Sequence, residues 1–413
     1  MIIEEKADIA VIGGGPAGMM AAGTAISYGS TVCIFEHMPY LGKKLGITGK
    51  GRCNVTNASN INDFLDNVTK NPRFLYSALN AFTPEDTVSF FESMGVELKV
   101  ERGNRVFPVS DKAKDIVVAL RAYSSGATVI HEKVVNVTQE NDVFTVCTAK
   151  NNYNFKKVII ATGGKSYPLT GSDGSGYSLA KKLGHKVTKL SPSLIPITSP
   201  DKLCRELQGL SLKNVGIKIV NKENDVLYSD FGEMMFTHFG VTGPVILSAS
   251  ARLKDKDVNG MKLLIDLKPA LDSLSLDKRI LKDFSENVNK DFVNSLSQLL
   301  PSKLISPFVN YVKIDPRKKV NLITKEERAN IVHALKNFTV NLNGFRPIEE
   351  AIITSGGIEV NEINPRNMES KLVNSLYFAG EVIDVDAYTG GFNLQIAYST
   401  GYLAGKSAAE SLY

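Results

Sequence analysis

Residues 7–12 (ADIAVI) form an almost wholly apolar run, the pattern of a parallel strand buried on both faces. Ala and Met dominate 17–28, which reads as a helix, and 31–35 (TVCIF) reads as a second buried strand. Further on, Val88, Phe91 and Met94 recur at helical spacing. They follow Thr83-Pro84-Glu85-Asp86, a helix start with a Thr cap, Pro in the first position and acids at the positive end. Gly95 suits the exit of that helix. Helices are also predicted over 112–123 and 177–183, and strands over 128–137 (TVIHEKVVNV), 144–148 and 157–160. From residue 191 the pattern changes. Pro192, Pro196 and Pro200 punctuate short alternating segments such as 214–220 (NVGIKIV), which predict an antiparallel sheet or small barrel. Residues 272–338 show helical spacing and include Thr324-Lys325-Glu326-Glu327, a capping-box pattern. Strand-like residues return over 351–360, and a buried strand over 376–381 leads into a long helix from Gly391. The expected organisation is α/β. A nucleotide domain spans 1–190 and 356–413, a β-rich insert spans 191–271 and 339–355, and a small helical subdomain spans 272–338.

Glycines 13, 15 and 18 stand between the first strand and the first helix, spaced G-x-G-x-x-G. Gly13 makes the tight turn, Gly15 lets a phosphate approach the backbone, and Gly18 lets the helix pack on the strand. Pro16 sits where a missing N–H costs little. The helix that begins with Ala17 aims its free N–H groups and dipole at a pyrophosphate. Glu36 ends the second strand and is placed to bind a ribose hydroxyl. An acid there favours an unphosphorylated ribose, hence FAD or NAD. The glycine pattern alone is common; strand, motif, helix, strand and acid in order make it a dinucleotide site.

The strand over 157–160 runs into Ala161-Thr162-Gly163-Gly164, small residues that approach the cofactor or simply make a tight turn. Gly171, Gly174 and Gly176 have the spacing G-x-x-G-x-G and read as a close-packing loop rather than a second nucleotide site. The returning segment Leu376-Tyr377-Phe378-Ala379-Gly380-Glu381 is again a strand ending in Gly-acid. In flavin folds such an acid binds a ribitol hydroxyl; a plain strand-end turn is the alternative. Next come Gly390, Gly391, Phe392, Asn393, Leu394 and Gln395. A helix N-terminus aimed at the flavin's pyrimidine edge would stabilise the negative charge of reduction. Asn393 and Gln395 would add side-chain donors, with a capping or solvated role open for Gln395. Ala397, Gly401, Gly405 and Ala409 repeat every four residues, a stripe for close contact with the first helix or the sheet. The two ends of the chain thus read as one FAD site split by an insertion.

With 413 residues, the chain is long enough for two or three domains. A hydrophobic content of 43% and charged content of 22% fit a globular protein. No apolar run approaches the about 18 residues of a spanning helix, so no membrane partner is expected. Glu4 and Glu5, followed at once by a strand, speak against a secretory leader. The net charge of +5 is spread in Lys pairs, so nucleic acid is not an expected partner. Cys33, Cys53, Cys147 and Cys204 form no C-x-x-C pattern. A disulfide framework, a metal site and a dithiol relay are disfavoured, and a reducing cytoplasmic location fits.

These residues resemble the bacterial BaiN-type family of NAD(P)/FAD-dependent oxidoreductases. The resemblance lies in GGGPAG at 13–18, LGKKLGITGKGRCNVTN at 41–57, GEMMFTHFGVTGPVIL at 232–247 and LYFAGEVIDVDAYTGGFNLQIAYSTG at 376–401. ATGGKSYPLTGSDGSG at 161–176 supports it. It implies a glutathione-reductase-like FAD-binding Rossmann domain interrupted by a β-barrel-like insert and a helical part. It implies FAD held by the 13–18 loop, Glu36, Lys44, Arg52, Val134, Ala161 to Gly164, Gly380, Glu381, Asp384 and the helix start at Gly391, Phe392, Asn393 and Leu394. The sequence departs from the family at 49–51, which reads Gly-Lys-Gly rather than three glycines. Lys50 either changes the charge near the cofactor or is simply exposed.

The expected chemistry is hydride transfer through flavin N5. The resemblance implies an NAD(P)H-dependent reductase of an enone-like small molecule or an amine oxidase using oxygen. A non-catalytic flavoprotein whose Lys-rich insert binds RNA or protein is the alternative of another class. Arg52 would hold an anionic substrate or the pyrophosphate. His238 would donate a proton or is a structural histidine, and Tyr167 and Tyr388 are alternative donors. Cys53 lacks a neighbouring base in its motif and reads as packing. The sequence contains no second strand-G-x-G-x-x-G-helix unit, so NADH or NADPH would visit transiently.

Overall fold

The computed structural model describes residues 2–3 and 7–412; Glu4 and Glu5 lie outside the described residues. The chain forms two compact units, Met1–Ser193 with Ile348–Tyr413, and Leu194–Pro347.

The first unit is built on five parallel strands: β1 (Ile9–Ile12), β2 (Val32–Phe35), β3 (Thr128–Ile130), β4 (Lys157–Ile160) and β5 (Leu376–Phe378). Their order is β5-β4-β1-β2-β3. Every residue of β1 and β2 is buried, which explains their unbroken apolar runs. The strand order reverses between β1 and β4. Ligands of open α/β sheets bind at the carboxyl ends of strands at such a reversal. The last strand comes from the C-terminal segment, so the sheet is complete only when both ends of the chain meet.

Two helices cover this reversal. Helix α1 (Pro16–Ser27) follows β1, and helix α2 (Phe392–Glu410) follows β5. They touch along the predicted small-residue stripe. A Cβ on Gly401 would lie 2.4 Å from the Ala17 carbonyl oxygen, and one on Gly405 would lie 2.2 Å from that of Ala21. Only glycine lets the backbones come this close.

The 128–137 segment is not one strand, and that expectation is corrected. Thr128–Ile130 joins β2 in parallel, whereas Val134–Glu140 pairs antiparallel with Val143–Thr148 in a separate sheet. Residues 131–133 are the switch between them. Asn152–Phe155, not anticipated, continues that second sheet. Of the 351–360 stretch, only Ile353–Ser355 is a strand, paired with Ser191–Ser193 inside the first unit.

The second unit holds a seven-stranded antiparallel sheet. Its edge strands, Phe338–Asn341 and Gly344–Phe345, are consecutive in the chain, which curls the sheet towards a barrel. The helices Ser273–Ser285, Ser302–Val312 and Lys325–Lys336 share its apolar core. Sheet and helices, expected as a β-rich insert and a separate helical subdomain, thus pack around one apolar core within one compact unit. No helix among the described residues is long and apolar enough to cross a membrane.

Candidate functional site

The three motif glycines differ in what surrounds them. Gly13 has φ +110°, and a Cβ there would lie 2.4 Å from the Ala161 carbonyl oxygen. On Gly18 it would lie 1.8 Å from the Gly13 oxygen. Around Gly15 it would meet nothing within 4 Å. Two glycines are thus fixed by packing and the middle one faces open space, as a phosphate cradle requires. Among the described residues no side chain accepts from the N–H groups of Ala17 or Gly18, and Gly15 supplies no cap. Glu36 braces this loop: its carboxylate accepts from Gly14 N at 3.0 Å and from Met38 N at 2.8 Å. Across the reversal, Thr162 packs against Gly176, where a Cβ would lie 1.9 Å from the Thr162 hydroxyl. The 171–176 loop is indeed a packing loop. Val134 is buried at the start of its strand.

The other end of the site is built by the C-terminal segment. Glu381 accepts from Lys44 Nζ at 2.9 Å, from the Ser166 hydroxyl at 3.2 Å and from Thr354 N at 2.8 Å. A Cβ on Gly164 would lie 2.6 Å from Glu381, and one on Gly380 would lie 2.8 Å from Ala17. Lys44, Gly164, Gly380 and Glu381 therefore converge at the foot of α1. Asp384 is buried, with Lys70 Nζ at 2.7 Å in an alignment too poor for a hydrogen bond. Asp386, fully buried, accepts from the hydroxyls of Thr69, Ser193 and Ser355. The hydroxyls of Ser172 and Tyr177 are buried without a partner, and Tyr177 lies in the field of Glu381 and Asp384. Its ionisation is pushed well up, first by burial.

Helix α2 starts at Gly391, with φ +98° and no side-chain cap. A Cβ there would lie 2.3 Å from the Thr56 backbone. With its amide turned to satisfy both ends, Asn54 accepts from Gly391 N at 3.1 Å, and Asn57 donates to Gly390 O at 3.0 Å. The N–H groups of Phe392, Asn393 and Leu394 meet no acceptor side chain among the described residues. The side chain of Asn393 is committed elsewhere. It accepts from Ala387 N and donates to the carbonyls of Ala387 and Tyr388. Gln395 is neither capping nor solvated: fully buried, it accepts from Thr56 and Thr87 and donates to Phe82 O and Ser399.

An open glycine cradle, two uncapped helix starts and unpartnered buried hydroxyls at one strand-order reversal fit a dinucleotide flavin. A family model described as the HI0933-like protein Rossmann domain matches residues 7–407. The chain belongs to the HI0933-like family. It is 29% identical to the 3-dehydro-bile acid delta(4,6)-reductase of Clostridium scindens, over 97% of this chain and 99% of that protein. It is 28% identical to the ribosomal RNA dihydrouridine synthase of Escherichia coli K12, over 96% of this chain and 97% of that one. Among solved structures, the 3-ketosteroid delta1-dehydrogenase of Sterolibacterium denitrificans superposes with a TM-score of 0.54 at 12% identity. That alignment covers 98% of this chain and 99% of the other, and it shows the fold. As a member of this family, the protein is an FAD-dependent oxidoreductase with a Rossmann-type FAD fold.

The expected catalytic side chains of this HI0933-like protein differ in their surroundings. Arg52 bonds Glu101 at 2.5 Å and Asp111 at 2.6 Å and lies 4.3 Å over the Phe107 ring. The guanidinium holds the Glu101 carboxyl below its ordinary range, and Lys99 with Arg52 does the same for Asp111. Arg52, expected to hold an anionic substrate or the pyrophosphate, is here paired with two carboxylates that anchor its loop. Cys53 is fully buried and its thiol is pushed up to about 12, chiefly by burial, which suits packing and not attack. Tyr388 is half-buried, its carbonyl held by Asn393. Tyr167 is 38% exposed with φ +54°. His238 is exposed on the second unit's Thr237–Gly240 hairpin turn, edge-on to Phe239 at 4.9 Å. Sequence reasoning missed Ser166, Thr354, Thr56, Thr87 and Asp386, whose partners lie far along the chain.

Proposed function

We propose that the protein reduces a carbon–carbon double bond conjugated to a carbonyl, with NADH or NADPH as a transient reductant. The observation that carries this is chemical. A 3-dehydro-bile acid delta(4,6)-reductase and a dihydrouridine synthase both saturate such a bond, on a steroid and on a uracil ring, and both match this chain almost end to end. The substrate gains a hydride at the carbon β to the carbonyl and a proton at the α carbon. Bound FAD would supply the hydride. Here the 13–18 loop and Ala17 N–H group bind the pyrophosphate, Glu36 the adenosine ribose, and Glu381, set by Lys44, the ribitol. The open N–H groups of Phe392 to Leu394 stabilise charge at the pyrimidine edge. Tyr388, whose backbone carbonyl accepts from Asn393, is the candidate proton donor.

The acceptor is either a small enone or a uridine in RNA. The second reading gains support from how charge is divided. Residues 194–347 carry 23 Lys and Arg against 17 Asp and Glu, whereas the rest of the chain carries 25 against 26. The whole positive excess therefore sits in the insert, where a phosphate backbone would be drawn.

Anaerobic mixing of the flavin-loaded protein with NADH, NADPH and an amine panel tests the proposal. Bleaching by a nicotinamide, then reoxidation by a 4-en-3-one steroid or a uridine-bearing ribosomal RNA fragment, is the expected result. Bleaching by amines alone, with reoxidation only by oxygen, would replace the reductase with an oxidase.

A further inference from the structure

We propose that Lys50 is a specificity residue of the active site, whose ammonium receives an oxyanion carried by the acceptor substrate. This rests on the reductase reading above and adds the charge of the substrate to it.

The first observation is conformational. Gly49, Lys50 and Gly51 have φ of +58°, +57° and +87°, three left-handed residues in a row. Glycine adopts this region freely, whereas a side chain with a Cβ is strained there. Lysine, unlike asparagine or aspartate, has no short polar group to offset that strain locally. The loop nonetheless places a lysine between two glycines. Among the described residues outside Gly, Asn and Asp, this region also holds Cys53 and Tyr167 in the motif loops and Leu194, Lys313, Met368 and Ser375 elsewhere, so the strain points to a functional site only together with position and charge.

The second observation is position. The loop is tied to the candidate site on both sides of Lys50. Before it, Gly42 N donates to Gly14 O at 2.8 Å, and Lys44 Nζ reaches Glu381 at 2.9 Å. After it, Asn54 and Asn57 hold Gly391 and Gly390, and the Thr56 hydroxyl donates to Gln395 at 2.5 Å. Residues 42–57 therefore bridge the phosphate loop and the start of α2, and Lys50 is the exposed crest of that bridge.

The third observation is charge. Arg52, two residues on, is occupied by two carboxylates, and Lys44 by Glu381. Among the described residues Lys50 has no hydrogen-bond or ion-pair partner. Lys43, the remaining cation of the bridge, is directed to the Leu169 carbonyl at 2.8 Å, so Lys50 is the one whose ammonium has no partner among the described residues. A compact ammonium on a flexible stem suits a carboxylate or a phosphate equally as a point charge. The two differ in origin: a carboxylate would belong to a steroid side chain, a phosphate to a ribonucleotide.

The test is Lys50→Gly, with Lys50→Arg beside it, in the flavin-loaded full chain. Lys50→Gly raises the thermal midpoint by about 2 °C, because the strain is removed. The same substitution raises KM about 10-fold for one of two anionic acceptors, with kcat changed less than twofold. The acceptors are a 4-en-3-one steroid carrying a side-chain carboxylate and a uridine oligoribonucleotide. The methyl ester of the steroid and a methylphosphonate-linked oligonucleotide remove the anion and should respond less than twofold, which identifies the source. The gap in KM shrinks as salt is raised to 0.5 M, as screening requires. Lys50→Arg restores most of the KM. A KM that Lys50→Gly leaves unmoved for both anionic acceptors, or moves equally for the neutral analogues, overturns the assignment. Failure of the unsubstituted protein to reduce either acceptor, although a nicotinamide bleaches its flavin, counts against the reductase reading. Lys50 is then judged by titrating the oxidised flavin spectrum with inorganic phosphate. A perturbation that Lys50→Gly weakens about 10-fold sustains the anion site, and one it leaves unchanged removes it.

Discussion

Four helix starts fall into two kinds. The helices Pro84–Ser93 and Lys325–Lys336 begin behind Thr83 and Thr324, each in a closed capping box with Asp86 or Glu327. Helices α1 and α2 begin behind Gly15 and Gly391, which supply no cap. Any helix start leaves about four N–H groups without an intrahelical partner. In the first kind the helix's own side chains fill part of that need. In the second it is left open, at the two places where the chain's ends meet around the strand-order reversal. A helix start without a cap is a cost of about 1 kcal/mol unless a ligand supplies the acceptors. The contrast separates starts closed by their own side chains from starts left open at the reversal; the uncapped starts at Ala113, Pro244 and Ser302 show that an open start marks a flavin site only together with the glycine cradle and the strand order.

The strongest way to break the contrast is Gly391→Ala. Its Cβ would be forced to within 2.3 Å of the Thr56 backbone, at φ +98°. Destabilisation of about 3 kcal/mol or more and loss of bound FAD are expected. Thermal melts and the ratio of flavin to protein absorbance read both. Unchanged flavin content would show that the start of α2 is not part of the site.

Gly15→Asp sharpens the contrast from the other side. Gly15 has φ −79° and open space around it, so an aspartate fits and can cap α1. The protein without flavin should gain a few tenths of a kcal/mol in stability. Affinity for FAD should fall about 100-fold, because a carboxylate would then occupy the place proposed for the pyrophosphate and repel it. Flavin titration by fluorescence quenching measures the second effect, and a chemical melt the first. A smaller loss of FAD affinity, about 10-fold, is expected for Glu36→Gln, which weakens the acceptor of Gly14 and Met38 N–H groups.

Much of this contrast was legible in the chain itself, because caps and phosphate loops are local. Thr83-Pro84-Glu85-Asp86 and Thr324 to Glu327 name their own partners within three residues, and Gly13, Gly15 and Gly18 lie within six. The stripe at Gly401 and Gly405 likewise announced a close helix contact. What was not legible depends on partners far away in sequence. Arg52 meets Glu101 and Asp111, and its charge is spent there; the motif around it carries no trace of either. Gln395 looked like a free donor at a helix start. It is buried by Thr56 and Thr87, more than 300 residues earlier. The 128–137 run kept its β-forming composition throughout, yet its two halves choose partners in different sheets. Composition reports that a segment will be extended; only the fold decides which neighbour it takes.

The smallest effect comes from the capped helices and completes the comparison. Thr83→Ala removes an acceptor for Asp86 N and a partner of the Asp86 carboxylate. Thr324→Ala does the same for the helix that begins at Lys325. Each should cost about 1 kcal/mol of stability. Because the two helices lie in different units, the losses should add when combined. Neither should change flavin content, since these helix starts are satisfied by their own residues and have nothing left to offer a ligand. A loss of FAD from Thr83→Ala would mean that its helix positions the site through Thr87, which donates to Gln395 at 2.7 Å. Cap and cofactor would then be coupled in the first unit alone, and Thr324→Ala would still leave the flavin in place.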